Sequence, residues 1–268
     1  IPVKPETEAR FIRDEIASYR AALEAEEYDQ QRSGSRGKSQ THKDLQKALE
    51  RSEVKLHEAL AQIGEHKEAH TIDFEDMGVD QLFVDEADMY KNLRFTTRMG
   101  RVKGLPNSDS QRAFDMYEKV RILQEAQGGR GVVFATGTPI ANTIAELYTQ
   151  MRYLQEPMLE ERGIQHFDAW AKTFGTTTSD IEQTVTGTYR PTNRFAKFQN
   201  IPELSNIWQT VADIRVADDS PNIVKRRPRL IDANGKAKRT VVAVQPDQAL
   251  LSVMGWLAQR ADKHGATD

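Results

Sequence analysis

The stretch that decides the fold is GVDQLFVDEADMYKNL, residues Gly78–Leu93. Its apolar part, Leu82–Val84, is short and rich in residues that favour strands, and it ends abruptly in the acidic tetrad Asp85–Asp88. Such a run predicts a buried parallel strand that presents its carboxylates at its C-terminal end. Open α/β sheets bind their ligands at this edge.

Two adjacent carboxylates at a strand end suit phosphoryl transfer. Asp85 is positioned to hold a Mg²⁺ ion that bridges nucleotide phosphates, while Glu86 orients or deprotonates the attacking water. The alternative is that Asp85 and Glu86 only cap a following helix, because acidic residues favour the first helical turn. The tetrad alone leaves both interpretations open.

A second segment, GVVFATGTPIANTIAELYTQMRYL at Gly131–Leu154, has the pattern of a strand, a turn and a helix. Val132–Ala135 predicts a second short buried strand, and Thr136–Pro139 interrupts it with turn residues. An amphipathic helix should follow, with one apolar face made by Ile140, Ile144, Leu147, Met151 and Leu154. This βα unit places its polar turn at the same sheet edge as the acidic tetrad.

Together these segments resemble motifs II and III of superfamily-two helicase-like motors, specifically the Swi/Snf-type DNA translocases. Asp85-Glu86-Ala87, followed by Lys91 and Asn92, is similar to the DEAH box of that family and its trailing lysine and asparagine. The downstream segment is similar to the TGTP-x-x-N…EL(W/Y)…L signature through Thr136–Pro139, Asn142, Glu146–Tyr148 and Leu154. Asp88 stands where this branch usually has histidine.

The resemblance implies an α/β fold, namely a partial RecA-like parallel sheet flanked by helices. The chain would be the C-terminal part of the first RecA-like lobe of an ATP-dependent DNA translocase. ATP and Mg²⁺ are the implied cofactors, with Asp85 as the metal ligand and Glu86 acting on water. The implied nucleotide and coupling residues are Asp88, Thr136, Gly137, Thr138, Pro139 and Asn142. The implied partner is double-stranded DNA, bound by the full-length parent protein.

A phosphate-binding loop is the part of such a motor that this sequence does not supply. Gly37-Lys38-Ser39 matches the end of a Walker A motif, but Arg32 occupies the position of its first glycine. The preceding residues, EAEEYDQQ, are too polar for a buried strand. We therefore expect the Walker A segment upstream in the parent, a second RecA-like lobe in the same protein, and no ATP hydrolysis by the isolated chain.

The N-terminal residues 1–70 are predicted to form an antiparallel helical hairpin, which we call the arm. Pro5–Tyr28 and Gln40–His66 carry apolar residues at helical spacing, and the polar, glycine-containing segment Gln30–Ser39 joins them. The broad charged faces favour a solvated arm, with a partner-binding coiled coil as the alternative. The arm resembles an insertion in large bacterial and phage proteins that combine such a motor with an adenine-specific DNA methyltransferase. In the second functional hypothesis, the chain is an interaction module with a partner-binding arm and a vestigial acid box.

Two basic segments are candidates for contact with DNA. The loop after the acid box carries Arg94, Arg98, Arg101 and Lys103, and the resemblance implies that this region faces DNA or the nucleotide. In Tyr189–Asn200, three cations, Arg190, Arg194 and Lys197, alternate with three aromatic residues, a mixture that grips phosphates and stacks on bases. An ordinary surface loop is the alternative for the first segment. For the second, the alternative is a loop that tucks its aromatic rings under the domain.

Residues 71–245 are assigned to the lobe, and residues 246–268 to a junction helix that leads toward the second lobe. The further predicted features are helices at Ser110–Gly128, His166–Phe174, Leu204–Val211 and Ala249–Arg260, an exposed polar stretch at Thr176–Gly187, a basic cluster at Lys225–Arg229 and a strand at Thr240–Val244.

Composition limits the class of protein. The 268 residues suffice for one large or two small domains, and the net charge of −3 excludes a uniformly basic nucleic-acid-binding surface. The absence of cysteine excludes disulfides and thiolate metal sites, which fits a cytoplasmic protein. No apolar stretch approaches the roughly 20 residues of a membrane-spanning helix, so no membrane partner is expected.

Overall fold

The computed structural model describes residues 1–33, 39–68, 72–100, 102–103, 105, 110–183, 188–216, 219, 222 and 244–264. The predictions for Gly37, Lys38, Arg101, Lys225–Arg229 and residues 240–243 lie outside these ranges. The chain divides into two compact units. One comprises Ile1–Ser179 with Asn193–Trp208, and the other comprises Asp180–Thr192 with Gln209–Asp268.

The predicted arm consists of two helices, α1 (Pro5–Ser33) and α2 (Gln40–Glu68). Polar contacts between them join the middle of α1 to the middle of α2, and the end of α1 to the start of α2. Ser52 donates a hydrogen bond to Glu15 at 3.1 Å, and Ser39, just before α2, donates one to Glu26 at 2.7 Å. The two helices are therefore antiparallel, as the sequence predicts.

The arm packs against the chain's own third helix, α3 (Gln111–Ala126), within the first compact unit. Ser110 caps α3, because its side chain accepts a hydrogen bond from the amide of Ala113 at 3.3 Å. The shared core contains, from the arm, Ala9, Phe11, Ile12, Ile16 and Ala59, and from α3, Ala113, Phe114, Tyr117 and Val120. The apolar stripe of α1 thus has partners in both α2 and α3.

The two predicted strands form a parallel pair, β1 (Leu82–Val84) and β2 (Val132–Phe134). Phe83 lies opposite Val133 in the register, and these two side chains are 70% and 50% exposed. Their neighbours in the strands contact the core on the α3 side. Parallel strands normally have both faces covered, so this small sheet presents an apolar face that the described residues leave open.

A second core surrounds the helices that follow β2: α4 (Ala145–Leu154), α5 (Glu156–Glu161) and α6 (Phe167–Phe174). The rings of Phe167, Trp170 and Phe174 are buried there. The predicted start of α4 is wrong, because Ile140 lies in the preceding turn and is 39% exposed. The residues after Ile140 form the turn instead, and the side chain of Glu146 binds the amides of Ala141 and Asn142 there.

Beyond α6, two strands form a second small sheet, β3 (Gly175–Gln183) and β4 (Tyr189–Phe198). The sequence predicts only an exposed polar stretch over most of β3, but its β-branched threonines favour an extended strand that β4 pairs with. Two more helices lie in the described part of the chain, α7 (Ile201–Trp208) and α8 (Gln248–His264), and α8 contains the predicted helix Ala249–Arg260. None of the described helices has the length and apolarity needed to cross a membrane.

Glu118 is a buried carboxyl group on α3, and it is 1% exposed. No hydrogen-bond donor among the described residues reaches its Oε1 atom. Burial raises the pKa of Glu118 to about 8, and the neighbouring carboxyls of Glu8 and Asp115 add to the rise. The folded chain therefore keeps a proton on Glu118 at pH values where the unfolded chain has lost it.

We predict that the free energy of unfolding falls by about 3 kcal/mol between pH 5 and pH 8, because the unfolded state releases this proton at a lower pH than the folded state does. Below the unfolded-state pKa of 4.5, the effect is absent. Glu118→Gln is neutral at every pH and should flatten the slope, whereas Glu125→Gln on the exposed side of α3 should leave it unchanged. Urea unfolding at both pH values measures the slope. Equal slopes in the wild type and Glu118→Gln would contradict the prediction.

Candidate functional site

The acidic tetrad and the threonine turn lie side by side at the carboxyl edge of the parallel strand pair. The ladder continues past the strands, since the amide of Ala135 donates to the carbonyl of Val84 at 2.8 Å and that of Ala87 to Ala135 at 3.0 Å. One residue further along each segment, the Thr136 hydroxyl donates to Oδ1 of Asp88 at 3.0 Å. The two motif segments therefore share one edge and contact each other directly.

Asp85 and Glu86 extend from this edge into solvent. Glu86 has the backbone angles φ 53° and ψ 49°, a left-handed conformation that is uncommon for residues other than glycine and that concentrates at functional sites. It is held there by the bond from Ala87 to Ala135 and by a bond from the amide of Met89 to the Glu86 carbonyl at 3.0 Å. The strained backbone thus marks Glu86, at the exposed edge, as a candidate functional residue.

The capping alternative fails for Glu86. A short 3-10 turn, Ala87–Tyr90, follows the two carboxylates, and the Glu86 side chain makes no capping hydrogen bond to it. Oδ1 of Asp85 accepts a hydrogen bond from the neighbouring amide of Glu86, at 3.0 Å. Both carboxylates thus retain exposed oxygen atoms that can bind a ligand.

The turn that follows β2 is exposed over residues 137–142, which include the predicted residues Gly137, Thr138, Pro139 and Asn142. The Thr136 hydroxyl also accepts the amide of Thr138 at 3.1 Å, which shapes the start of the turn. Its main-chain groups and polar side chains are accessible beside the acid box, where a nucleotide or a second element can reach them.

Lys91 and Glu146 form a contact to which sequence reasoning assigns no role. Nζ of Lys91 lies 3.5 Å from Oε1 of Glu146, so the segment after the acid box is linked to α4. Their only signal in the sequence is their place in the two motif matches. The sequence does not show that Glu146 is buried or that it bonds the turn.

The edge fits a magnesium ion that arrives with a nucleotide. Among the described residues, no group of three or more histidine, cysteine, aspartate or glutamate side chains could enclose a metal. A Mg²⁺ ion that is bound with a nucleotide does not need such a group of side chains. Phosphates and waters supply most of its ligands, so one or two carboxylates suffice. The exposed carboxylate of Asp85 has the oxygen ligands that this ion prefers.

Arg94 and Arg98, predicted to contact DNA, pair with carboxylates of the arm. Arg94 forms an ion pair with Glu15, its side chain is 10% exposed, and its guanidinium lies 4.5 Å from the centre of the Phe114 ring. Nη1 of Arg98 lies 2.7 Å from Asp29, at the far end of α1. In this structure the two arginines join the arm to the segment that follows the acid box.

The two predicted basic segments meet at Lys103 and Arg194. The amide of Lys103 donates to the Asn193 carbonyl and the Lys103 carbonyl accepts from Phe195, both at 2.8 Å, which gives a parallel bridge opposite Arg194. Lys197 lies further along β4 and is exposed.

The aromatic rings of this segment divide between core and surface. Phe195 is 2% exposed and belongs to the core, whereas Tyr189 is 70% exposed. Arg190 lies next to Tyr189 in the part of β4 that belongs to the second compact unit. The ring of Phe195 is therefore buried in the domain, as the alternative for this segment predicts, whereas the ring of Tyr189 is accessible.

The chain belongs to the family described as "Probable helicase domain", whose model matches residues 1–216. This match includes the arm as well as both motif segments. The chain is also 31% identical over 155 residues to "Defense against restriction protein B" of Escherichia phage P1. The alignment covers 57% of this chain and 7% of that protein, so the chain spans a small part of that relative's length. No solved structure matches the chain.

Membership in a helicase family confirms the broad class that the two motifs indicate.

Proposed function

We propose that the chain is the C-terminal part of the first RecA-like lobe of a Swi/Snf-type, ATP-dependent DNA translocase, within a longer protein. The observation that carries the proposal is the parallel pairing of β1 with β2. It places the acidic tetrad beside the threonine turn, with a direct bond from Thr136 to Asp88. Open parallel sheets bind nucleotides at such an edge.

In this function, Asp85 would hold the Mg²⁺ ion of a bound ATP, and this ion would supply neutralisation of the charge that develops on the phosphates. Glu86 would orient and deprotonate the attacking water. Asp88 and the turn, Thr136–Pro139 with Asn142, connect the nucleotide edge to the surface that contacts DNA. The exposure of the turn and its bond to Asp88 support this division of roles.

The longer protein supplies the phosphate-binding loop and the second RecA-like lobe. Two observations support this view. The exposed pair Phe83 and Val133 lies on a face that parallel sheets normally cover, so further elements are expected to pack there. The phage relative is also much longer than the region it shares with this chain.

Double-stranded DNA is the proposed polymer. The relative's printed name concerns defence against restriction. Lys103 and Arg194, adjacent on the short ladder, and the exposed Lys197 are the candidate phosphate contacts of the first compact unit. Phosphate contacts of this kind would make binding weaker at higher salt.

The test is ATP hydrolysis by the longer protein, measured with and without double-stranded DNA. The wild type should hydrolyse ATP faster when DNA is present. Asp85→Asn should lower the DNA-stimulated rate by roughly 100-fold, the typical loss when one preorganised electrostatic group is removed. Asp76→Asn is a matched control, since Asp76 forms an exposed ion pair with Lys4, and should hydrolyse ATP like the wild type. A wild type with no DNA-stimulated hydrolysis would refute the proposal.

A further inference from the structure

A single buried carboxylate connects the end of the exposed turn to the segment after the acid box. Glu146 is 4% exposed. Its Oε2 atom accepts hydrogen bonds from the amides of Ala141 at 2.6 Å and Asn142 at 3.1 Å. Its Oε1 atom lies 3.5 Å from Nζ of Lys91, whose side chain is 18% exposed. Since a buried carboxylate is costly without such partners, the turn and Lys91 are both held by one group.

The turn is therefore anchored to the acid-box segment at both of its ends. At its start, Thr136 bonds to Asp88, and at its end, Glu146 holds two amides of the turn together with Lys91. Residues 137–142, between the anchors, are exposed and make their polar groups available. A displacement of the acid-box segment would therefore act on the turn at its start through Asp88 and at its end through Lys91 and Glu146.

We infer that Glu146 and Lys91 are positioning residues that transmit the state of the acid box to the exposed turn. Glu146 acts through the backbone amides of Ala141 and Asn142, and Lys91 acts through Glu146. Neither side chain contacts the nucleotide or the DNA in this scheme. The inference rests on the proposed function for its activity measurement, because Glu146 and Lys91 would couple the acid box to the exposed turn of the proposed site.

The experiment compares Lys91→Met, Glu146→Gln and the double variant in the longer protein. Glutamine keeps an oxygen that accepts the two amides but loses the charge that attracts Lys91. The variant therefore separates the effect of the ion pair with Lys91 from the effect of the hydrogen bonds to the turn. Each single variant should lower the ratio of DNA-stimulated to basal ATP hydrolysis by about fivefold or more. The double variant should be no worse than either single variant, because both changes break the same pair.

A matched control and a rescue complete the activity measurement. Lys119→Met breaks a lysine–carboxylate pair on α3, with Asp115 at 2.6 Å, and should keep the wild-type ratio. Lys91→Arg keeps the charge and should restore most of the ratio. If the wild type is stimulated by DNA, then an unchanged ratio in Lys91→Met, or losses that add in the double variant, would overturn the inference.

Hydrogen exchange supplies a readout that does not depend on hydrolysis. The peptide covering residues 137–142 should exchange faster in Lys91→Met than in the wild type, because its amides are held less firmly by Glu146. If the wild type shows no DNA-stimulated hydrolysis, the proposed function fails. The exchange rate alone then tests the positioning role of Lys91 and Glu146. Faster exchange then supports the positioning role, and an unchanged rate overturns it.

Discussion

Glu86→Gln in the longer protein should slow ATP hydrolysis by about 10²- to 10⁴-fold, the usual contribution of a general base. Glutamine has nearly the same shape as glutamate, but it cannot accept a proton from the attacking water. Binding of ATP with Mg²⁺ should persist, because that role is assigned to Asp85. The variant is therefore expected to retain bound ATP, and single-turnover hydrolysis together with nucleotide-binding measurements will show whether it does.

The backbone at Glu86 makes this substitution informative. Glu86 occupies the left-handed region at φ 53°, and its side chain makes no capping bond that glutamine would disturb. A loss of hydrolysis in Glu86→Gln thus reports on the carboxylate itself and not on the fold of the edge. Glu50→Gln, an exposed change on α2, is the matched control and should hydrolyse ATP at the wild-type rate. Wild-type turnover in Glu86→Gln would remove Glu86 from the chemistry and favour a vestigial acid box.

The elements that can be predicted from the sequence are those that are determined by the residues within them. The two strands follow from short apolar runs bounded by turn residues, and the arm helices follow from apolar residues at helical spacing. The common edge of the two motifs is also predictable, because the carboxyl ends of neighbouring parallel strands meet there. Asp88 and Thr136, which are 48 residues apart in the chain, are brought together by this rule.

Other contacts between residues that are far apart in the chain could not be predicted from the sequence. The arginines that follow the acid box are predicted to contact DNA, and the sequence does not show that Arg98 also pairs with a carboxylate on α1 that is 69 residues away in the chain. Such a pairing leaves no periodic signal in either segment. Likewise, Ile140 fits the helical spacing of α4, yet it lies in the turn, where the Glu146 side chain binds the amides of the next two residues. Spacing alone does not reveal a side chain that holds the backbone of a neighbouring turn.

Arg152→Met should destabilise the first compact unit by about 3–5 kcal/mol, the typical cost of removing one partner from a buried ion pair. Nε of Arg152 lies 3.9 Å from Glu156, and Nη1 donates to the Arg94 carbonyl at 2.8 Å. Burial alone would lower the pKa of Arg152, but Glu156 and Tyr117 raise it above its ordinary value, so the guanidinium stays charged. Methionine would leave the Glu156 carboxylate with the Tyr117 hydroxyl, which donates to it at 2.7 Å, and without its cation.

Control variants separate the effect of breaking the Arg152–Glu156 ion pair from the general effect of losing an arginine. Arg162 pairs with Glu203 at 3.5 Å with both side chains nearly half exposed, so Arg162→Met should cost no more than about 1 kcal/mol. The double variant Arg152→Met/Glu156→Leu removes both buried charges and should recover part of the stability that Arg152→Met loses. Urea unfolding of the four proteins, including the wild type, gives the comparison. Equal losses of unfolding free energy in the two arginine variants would contradict the prediction. They would mean that Arg152 contributes no more than a surface residue does, and that its pair with Glu156 does not hold the Arg94 segment against α4.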